Sequence, residues 1–412
     1  MGDVATKKLY WDDSFATSFE AEASRGQWQG RPSIVLDRTL FYPEGGGQNP
    51  DAGKLVLEND AAFPIVDVQI DDAGTIHHLT DPAHEPNLAD FAVQRARGEI
   101  DAERRRDHMA QHSGQHMLSR ALLDIAKAAT VSSRLGATSC TIDVDVAGVK
   151  DADLHRVEDL VNAAIRADVE VRQLFPTEAE LATLPLRRAP KVASGIRLID
   201  IDGFDLTPCG GTHVTRTGQI GAARIVGTER YKGKIRLAFH AAQRALTDVR
   251  AKEVALSALA RELTCGPTDV GAAVAKLRAE LKAKSETLTA TRAELVTFLA
   301  EQALAAHPPT PAAPTLIVLV REGDDVSMLR TLSGKLTARP DVVAFCAAVD
   351  GGDRLVVLQR GQGAAFDCGA WFKEATKVHG GRGGGNKERA EGRFPGETDF
   401  AALEKSLRAA LR

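Results

Sequence analysis

The chain reads as a multidomain α+β protein, and three observations carry that reading. Its 412 residues exceed what one ordinary hydrophobic core organises, so about two to four domains are expected. The residue pattern also changes character three times: short β-branched runs, then mixed helices and strands, then a stretch of alanine, leucine and charge, then strands and helices again. A proline-rich segment, His307-Pro308-Pro309-Thr310-Pro311-Ala312-Ala313-Pro314, supplies a stiff linker before the last part. The expected domains are 1–98, a small β-barrel; 99–240, an α+β domain with a candidate metal site; 241–306, a helical hairpin or coiled coil; and 315–412, a compact C-terminal α/β module with a glycine-rich stretch.

Composition narrows the class. The chain is 43% hydrophobic and 26% charged, and apolar runs such as Leu316-Ile317-Val318-Leu319-Val320 suit buried strands and are too short to span a bilayer. Trp11, Asp12 and Asp13 stand where a signal peptide needs an apolar segment, which argues against export. The five cysteines (140, 209, 265, 346, 368) are odd in number, scattered and free of C-x-x-C pairs, as expected for reduced thiols in a cytoplasmic protein. Residues 1–90 carry 16 acidic and 6 basic side chains, a net of −10, which against −4 overall leaves +6 for residues 91–412. An anionic partner would therefore meet the later domains.

In 1–98, short β-branched runs at 33–36, 54–57 and 63–70 are separated by turn signals; six or seven such strands make a barrel or a sandwich. Within them lies Phe41-Tyr42-Pro43-Glu44-Gly45-Gly46-Gly47-Gln48. Three successive glycines cost entropy on ordering. They form either a flexible hairpin loop or a surface on which a ligand approaches the backbone, with Gln48 as a positioned amide.

From about residue 103 the pattern turns helical, with apolar Met117, Leu118, Leu122 and Ile125 on one stripe. His112 and His116 are four apart and so share a face; His108 lies a turn back, rotated by about 40°. A lone histidine is ordinarily a satisfied polar residue. The pair gains weight from Cys209-Gly210-Gly211-Thr212-His213, which follows a strand at 196–201. Two histidines with a Cys–His pair form a soft N/S donor set suited to Zn²⁺. The H-E-x-x-H pattern of metalloproteases is absent, since Ser113 follows His112. Further strands are expected at 139–146, 169–175, 218–226 and 234–239, with a helix at 152–167.

Over 241–306, Val274, Leu281, Leu288 and Leu295 repeat every seven residues, a heptad seam weakened at Lys284 and Thr291. Cys265-Gly266-Pro267-Thr268-Asp269 is a stop-and-start signal, so the segment reads as two antiparallel helices packed on each other, with a dimer contact as the alternative. In 315–412, strands at 316–320, 342–349 and 355–358 alternate with helices at 326–336, 366–378 and 400–411. Gly380-Gly381-Arg382-Gly383-Gly384-Gly385-Asn386-Lys387, flanked by Lys377, Arg389 and Arg393, combines backbone amides with cations and suits a phosphate backbone; a floppy loop is the plainer reading.

The ordered set of F-Y-P-x-G-G-G-Q at 41–48, His112-x-x-x-His116, Cys209-Gly-Gly-Thr-His213 and the terminal G-G-x-G-G-G resembles the post-transfer editing half of alanyl-tRNA synthetase. More closely, it is similar to the long free-standing alanyl-tRNA editing proteins of the AlaX type. The resemblance covers nearly the whole chain and leaves out the aminoacylation half, which implies editing without charging and without ATP. It implies hydrolysis of mischarged tRNA(Ala), chiefly Ser-tRNA(Ala) and also Gly-tRNA(Ala). It makes 99–240 a zinc-containing editing domain, with His112, His116, Cys209 and His213 matching the family's zinc positions and one Zn²⁺ per chain. Thr39 matches a threonine whose hydroxyl helps hold the serine side chain. Thr39, Gln48 and His108 are then the candidate catalytic residues, and Gly45, Gly46 and Gly47 the substrate-binding backbone. The terminal module resembles the synthetase's C-terminal tRNA-binding domain, with Lys377, Arg382, Gly383, Gly384, Lys387, Arg389 and Arg393 as the tRNA contacts. Similar modules end certain phosphodiesterases, but no Asp-His-His motif is present. A homodimer would use helices 241–306 or the C-terminal domain. The alternative function is a tRNA-binding accessory factor with a purely structural zinc, since four protein ligands fill a tetrahedron whereas a catalytic zinc keeps a position open.

Overall fold

The computed structural model describes residues 5–58, 60–88, 92–190, 195–309 and 313–412; part of the proline-rich linker, 310–312, lies outside the described residues. The chain divides into two compact units, Met1–Ala258 and Leu259–Arg412.

The first unit begins with β1 (Lys7–Lys8) and α1 (Leu9–Asp12), followed by β2 (Ser18–Trp28), β3 (Arg31–Leu36), β4 (Arg38–Thr39), β5 (Gly53–Leu57), β6 (Ala62–Ile70), β7 (Ile76–Thr80) and β8 (Gln94–Ile100). Six of these close an antiparallel barrel in the order β2-β3-β7-β6-β5-β8, while β1 pairs with β4. Of the two expected all-β forms, the barrel is the one found. Its interior takes the inward residues of each strand, among them Ile34, Leu36, Leu55, Phe63, Ile65 and Ile76.

Asp101 then caps α2 (Ala102–Ala126), accepting from the Glu103 and Arg104 amides. Next come β9 (Thr130–Leu135), β10 (Cys140–Val144), α3 (Asp151–Arg166), β11 (Val171–Leu174), α4 (Glu178–Leu181), β12 (Leu198–Ile201), β13 (Asp205–Pro208), β14 (Ala223–Tyr231) and β15 (Lys234–Ala241). They build two antiparallel sheets, β14-β15-β10-β9 and β11-β12-β13. Leu154, Val157, Val161 and Ile165 of α3 and Met117, Leu118, Ala121 and Leu122 of α2 fill one core with the larger sheet. The strand expected from 218 starts at Ala223, after a single turn of 3₁₀-helix at Thr217–Ile220.

One buried ion pair joins this region to the barrel. Arg105 of α2 donates from Nε to Asp51 at 3.1–3.2 Å and from Nη1 to the Ser14 carbonyl at 2.9 Å, with Nη2 on Asp51 and the Leu40 carbonyl. Asp51 also accepts from the Tyr42 amide at 2.7 Å. Both side chains are 1% exposed, so the pair tolerates its desolvation only because every group is matched. The result is that α2 and the 41–51 segment are held in one register.

Two long helices follow, α5 (Ala242–Glu262) and α6 (Val270–Ala306). The heptad residues Val274, Leu281, Leu288 and Leu295 of α6 are 42, 71, 53 and 39% exposed. Only the C-terminal end of α6, at Val296, Ala300 and Ala303, is buried.

The second unit continues with β16 (Thr315–Glu322), α7 (Val326–Leu336), β17 (Val342–Asp350), β18 (Asp353–Arg360), α8 (Cys368–His379), β19 (Arg382–Gly385), β20 (Arg389–Phe394) and α9 (Phe400–Ala410). Its sheet runs β16-β17-β18-β20-β19, parallel only between β16 and β17. Alternate residues of β17 and β18 face α7 with the end of α6, and α8 with α9. The glycine-rich stretch is not a loop but an edge strand. A Cβ at Gly383 would strike the Glu391 carbonyl and the Phe372 ring, and one at Gly385 would strike the Arg389 carbonyl. These two glycines therefore let β19 lie close against β20. No helix among the described residues is long and apolar enough to cross a membrane.

Candidate metal centre

His112 and His116 project from adjacent turns of α2, and Cys209 and His213 from the loop after β13. One donor atom from each lies within 4.8 Å of the other three. Nε2 of His112 and Nε2 of His213 are each 3.3 Å from Cys209 Sγ. An ideal tetrahedral zinc site with mixed ligands has N···S edges of about 3.5 Å, so the donor set has the right size.

The far side of two of the imidazoles is held by hydrogen bonds, and the third faces a carboxylate. His112 Nδ1 donates to Gln48 Oε1 at 2.7 Å, His213 Nδ1 lies 3.1 Å from Ser113 Oγ, and His116 Nδ1 faces Asp205 Oδ2 at 3.7 Å. Those last two atoms are buried without a closer partner, the kind of second contact a metal-bound histidine takes. Burial holds His112 down to about 3 and His213 to about 4, and it also lowers His116, so all three rings are neutral donors near pH 7. Burial raises the Cys209 thiol, but the His213 ring, the Gly211 amide and Arg197 overcome it and leave the thiol below its ordinary value. Neutral imidazoles beside a thiol held below its ordinary value fit a metal ion.

The loop is fixed by neighbours far away in sequence. Arg197 Nη1 donates to the Cys209 and Gly211 carbonyls at 3.0 and 2.8 Å, Trp11 Nε1 to the Gly210 carbonyl at 2.9 Å, and Ser14 Oγ to the His213 carbonyl at 2.9 Å. Gln48, fully buried, donates to Thr212 Oγ1 at 2.9 Å and accepts from the Thr212 amide at 3.1 Å. At Gly211 any Cβ would collide with the His112 ring. This explains one glycine of the Cys-Gly-Gly-Thr-His stretch; a Cβ at Gly210 would meet open space.

A cavity of about 680 Å³ opens at Cys209 and Gly210. Gly46 and Gly47, both in left-handed conformation (φ +59° and +86°), form one wall, and the Thr130–Ser133 portion of β9 forms another. A Cβ at Gly47 would meet the Ser133 carbonyl at 2.5 Å, so the glycine loop can dock on β9 only as glycine. The charged residues of the lining are Lys8, Arg188 and Arg197, all cationic.

The residues expected to act are distributed unevenly. Gly46 and Gly47 line the cavity, whereas the Gly45 carbonyl accepts from the Tyr42 hydroxyl at 2.9 Å, away from the lining. Thr39 is fully buried in the barrel, its hydroxyl 2.9 Å from His78 Nε2 and accepting from the Phe41 amide at 3.0 Å. It is not among the residues that line the cavity. Gln48 is spent on the metal loop. His108 is buried one turn before His112, with Nδ1 unpartnered and burial holding it at about 4; it lies outside the donor cluster. In the second unit, Lys377 pairs with Glu374 at 2.7 Å and Arg393 with Asp353 at 3.3 Å. Arg382, Lys387 and Arg389 form no ion pair among the described residues, and Gly383 and Gly384 are exposed on the edge strand. Trp11, Ser113, Arg188, Arg197, Asp205 and the β9 wall went unread in the sequence. Only Ser113, inside the histidine pair, carried a local signal.

Comparison with known proteins places the chain. A family model described as the second additional domain of threonyl and alanyl tRNA synthetases matches residues 196–238, and one described as class II (A) tRNA synthetases matches 7–101. The alanine–tRNA ligase of Halobacterium salinarum is 32% identical over 378 residues, 88% of this chain and 38% of the ligase. That of Halorubrum lacusprofundi is 30% identical over 419 residues, 98% of this chain and 43% of the ligase. The chain thus spans less than half the length of these relatives. Among solved structures, the C-Ala domain of Aquifex aeolicus alanyl-tRNA synthetase matches 26% of this chain and 96% of its own, at 25% identity and a TM-score of 0.24.

Proposed function

The chain is a relative of the alanine–tRNA ligases, and from that premise we propose that it is a trans-editing hydrolase, deacylating tRNA(Ala) mischarged with serine or glycine at a zinc centre. The observation that carries the reading is the His112, His116, Cys209 and His213 cluster opening, at Cys209, onto a cavity whose charged lining is entirely cationic. An aminoacyl ester at the end of a polyanionic strand is the ligand such a cavity suits.

Zinc held by the four donors would act as a Lewis acid towards the ester and ease deprotonation of a water. The protein's own residues do the rest. Gln48 and Ser113 keep Nδ1 of His112 and His213 engaged, so their Nε2 atoms face inward, while Asp205 faces His116 Nδ1 across 3.7 Å. Gly46 and Gly47 let the ester reach the backbone without a side chain intervening. Lys8 and Arg188 draw in the anionic strand. Ser133 of the cavity wall offers its hydroxyl to the serine side chain; with alanine that group is left unpaired, which is a workable basis for rejecting Ala-tRNA(Ala). Thr39 acts through His78 and the Phe41 amide as a positioning residue. In the second unit, Arg382, Gly383, Gly384, Lys387 and Arg389 contact the tRNA backbone, with Lys377 and Arg393 contributing less because each already has an acidic partner.

Deacylation of Ser-tRNA(Ala) and Ala-tRNA(Ala) by the zinc-loaded wild type and by Cys209→Ala/His213→Ala tests the reading. Serine release by the wild type alone, with Ala-tRNA(Ala) spared, is expected. A wild type that leaves both substrates intact while binding tRNA(Ala) would instead favour an accessory factor with a structural zinc, the reading that four protein donors also fit.

A further inference from the structure

We infer that the rim of the cavity is a nucleotide subsite, in which Phe175, braced by Trp11, stacks the terminal base of the ester-bearing strand while Lys8 and Arg188 hold its phosphate. The inference deepens the deacylase reading and rests on it for the identity of the strand.

Phe175 is 58% exposed, directly after β11, and belongs to none of the four apolar cores. One exposed apolar ring is ordinary in itself; what sets Phe175 apart is its contact with Trp11, which lines the cavity. Its ring centroid lies 6.1 Å from that of Trp11, the planes tilted by 53°. Trp11 is in turn locked: its Nε1 donates to Gly210 of the metal loop, its carbonyl accepts from Gln173 Nε2, and Tyr10 meets it edge-on at 6.0 Å. Phe175 therefore stands one aromatic ring away from the loop that carries Cys209. Lys8 Nζ sits 4.5 Å from the Trp11 centroid and lines the cavity. Arg188 lines it as well, placing Nη2 on the Pro208 carbonyl at 3.0 Å.

Aromatic faces interleaved with cations are how proteins bind single-stranded nucleic acid, the face taking a base and the cation its phosphate. A substrate presenting a nucleotide next to its ester explains both the exposure and the rigid bracing of Trp11.

The test uses full-length zinc-loaded protein and two readouts. In steady-state deacylation of Ser-tRNA(Ala), Phe175→Ala should raise KM about tenfold with kcat unchanged, in the range expected for one base–aromatic stack, and Phe175→Trp should restore it. Equilibrium dialysis with labelled adenosine 5′-monophosphate should show the same loss and the same rescue, with zinc content constant. Nucleotide binding lost in Phe175→Ala from a wild type that does not deacylate would remove the hydrolase and leave the subsite. Unchanged KM and unchanged nucleotide binding in Phe175→Ala would remove the subsite and leave the hydrolase.

Discussion

A methyl group at position 211 would occupy the space taken by the Cε1 and Nδ1 edge of His112 and would approach Gln48 Oε1 to 2.9 Å. The backbone here cannot yield easily, because Trp11 holds the Gly210 carbonyl, Arg197 the Gly211 carbonyl and Gln48 the Thr212 amide. Gly211→Ala is therefore expected to lose most of its bound zinc, measured as metal per chain after gel filtration, whereas Gly210→Ala, built into open space, keeps it. Equal metal content in the two variants would contradict this account of the loop. The contrast marks what could be read from the sequence at this scale. The four donors announce themselves because each pair sits within one turn or one short loop. Their supports do not: Gln48 lies 64 residues from His112 and 164 from Thr212, and Trp11 lies 199 from Gly210, so no local spacing records the contacts.

The hairpin of β19 and β20 shows how one element can mislead. Glycine has little preference for strands, so Arg382-Gly383-Gly384-Gly385 read as a loop, and only the facing residues reveal why a strand needs glycine there. Strand β9 escaped for a related reason: Thr130-Val131-Ser132-Ser133-Arg134-Leu135 buries only its last residue and so shows no apolar alternation. Barrel strands β3, β5 and β6 and helix α3, with buried apolar faces, were legible, whereas β2, β7 and β8 were not placed. As an exposed edge with unpaired cations, the hairpin gives a graded prediction. Arg382→Ala and Lys387→Ala should each weaken tRNA(Ala) binding and lower the slope of log affinity against log salt by about 0.7–0.9. Lys377→Ala, whose cation already meets Glu374, should change the slope less. Filter binding across a salt series decides it; equal slopes for all three would take the hairpin out of the tRNA contact.

For the whole chain, the histidines depressed by burial all fall in the first unit: His78, His108 and His213 at about 4, His112 at about 3, and His116 lowered too. Each is neutral when folded and takes up a proton when unfolded near pH 6.5. Their contribution to stability is thus intact above pH 6.5 and is lost as pH falls towards the folded values. His78 alone accounts for about 2 kcal/mol between pH 7 and pH 5. In zinc-free protein, hydrogen exchange of barrel amides, corrected for intrinsic rates, should show protection falling over that interval more steeply than in the sheet of β16 to β20. Parallel losses in both units would refute it. The Gln48 contact carries a different consequence. Its amide joins the His112 ring to the same short turn whose glycines line the cavity, so the order of the turn and the order of the ligand set form one equilibrium. If the cluster holds zinc, thermodynamic reciprocity then applies: a substrate that steadied the turn would tighten the hold on zinc by the same factor by which zinc tightened the hold on substrate.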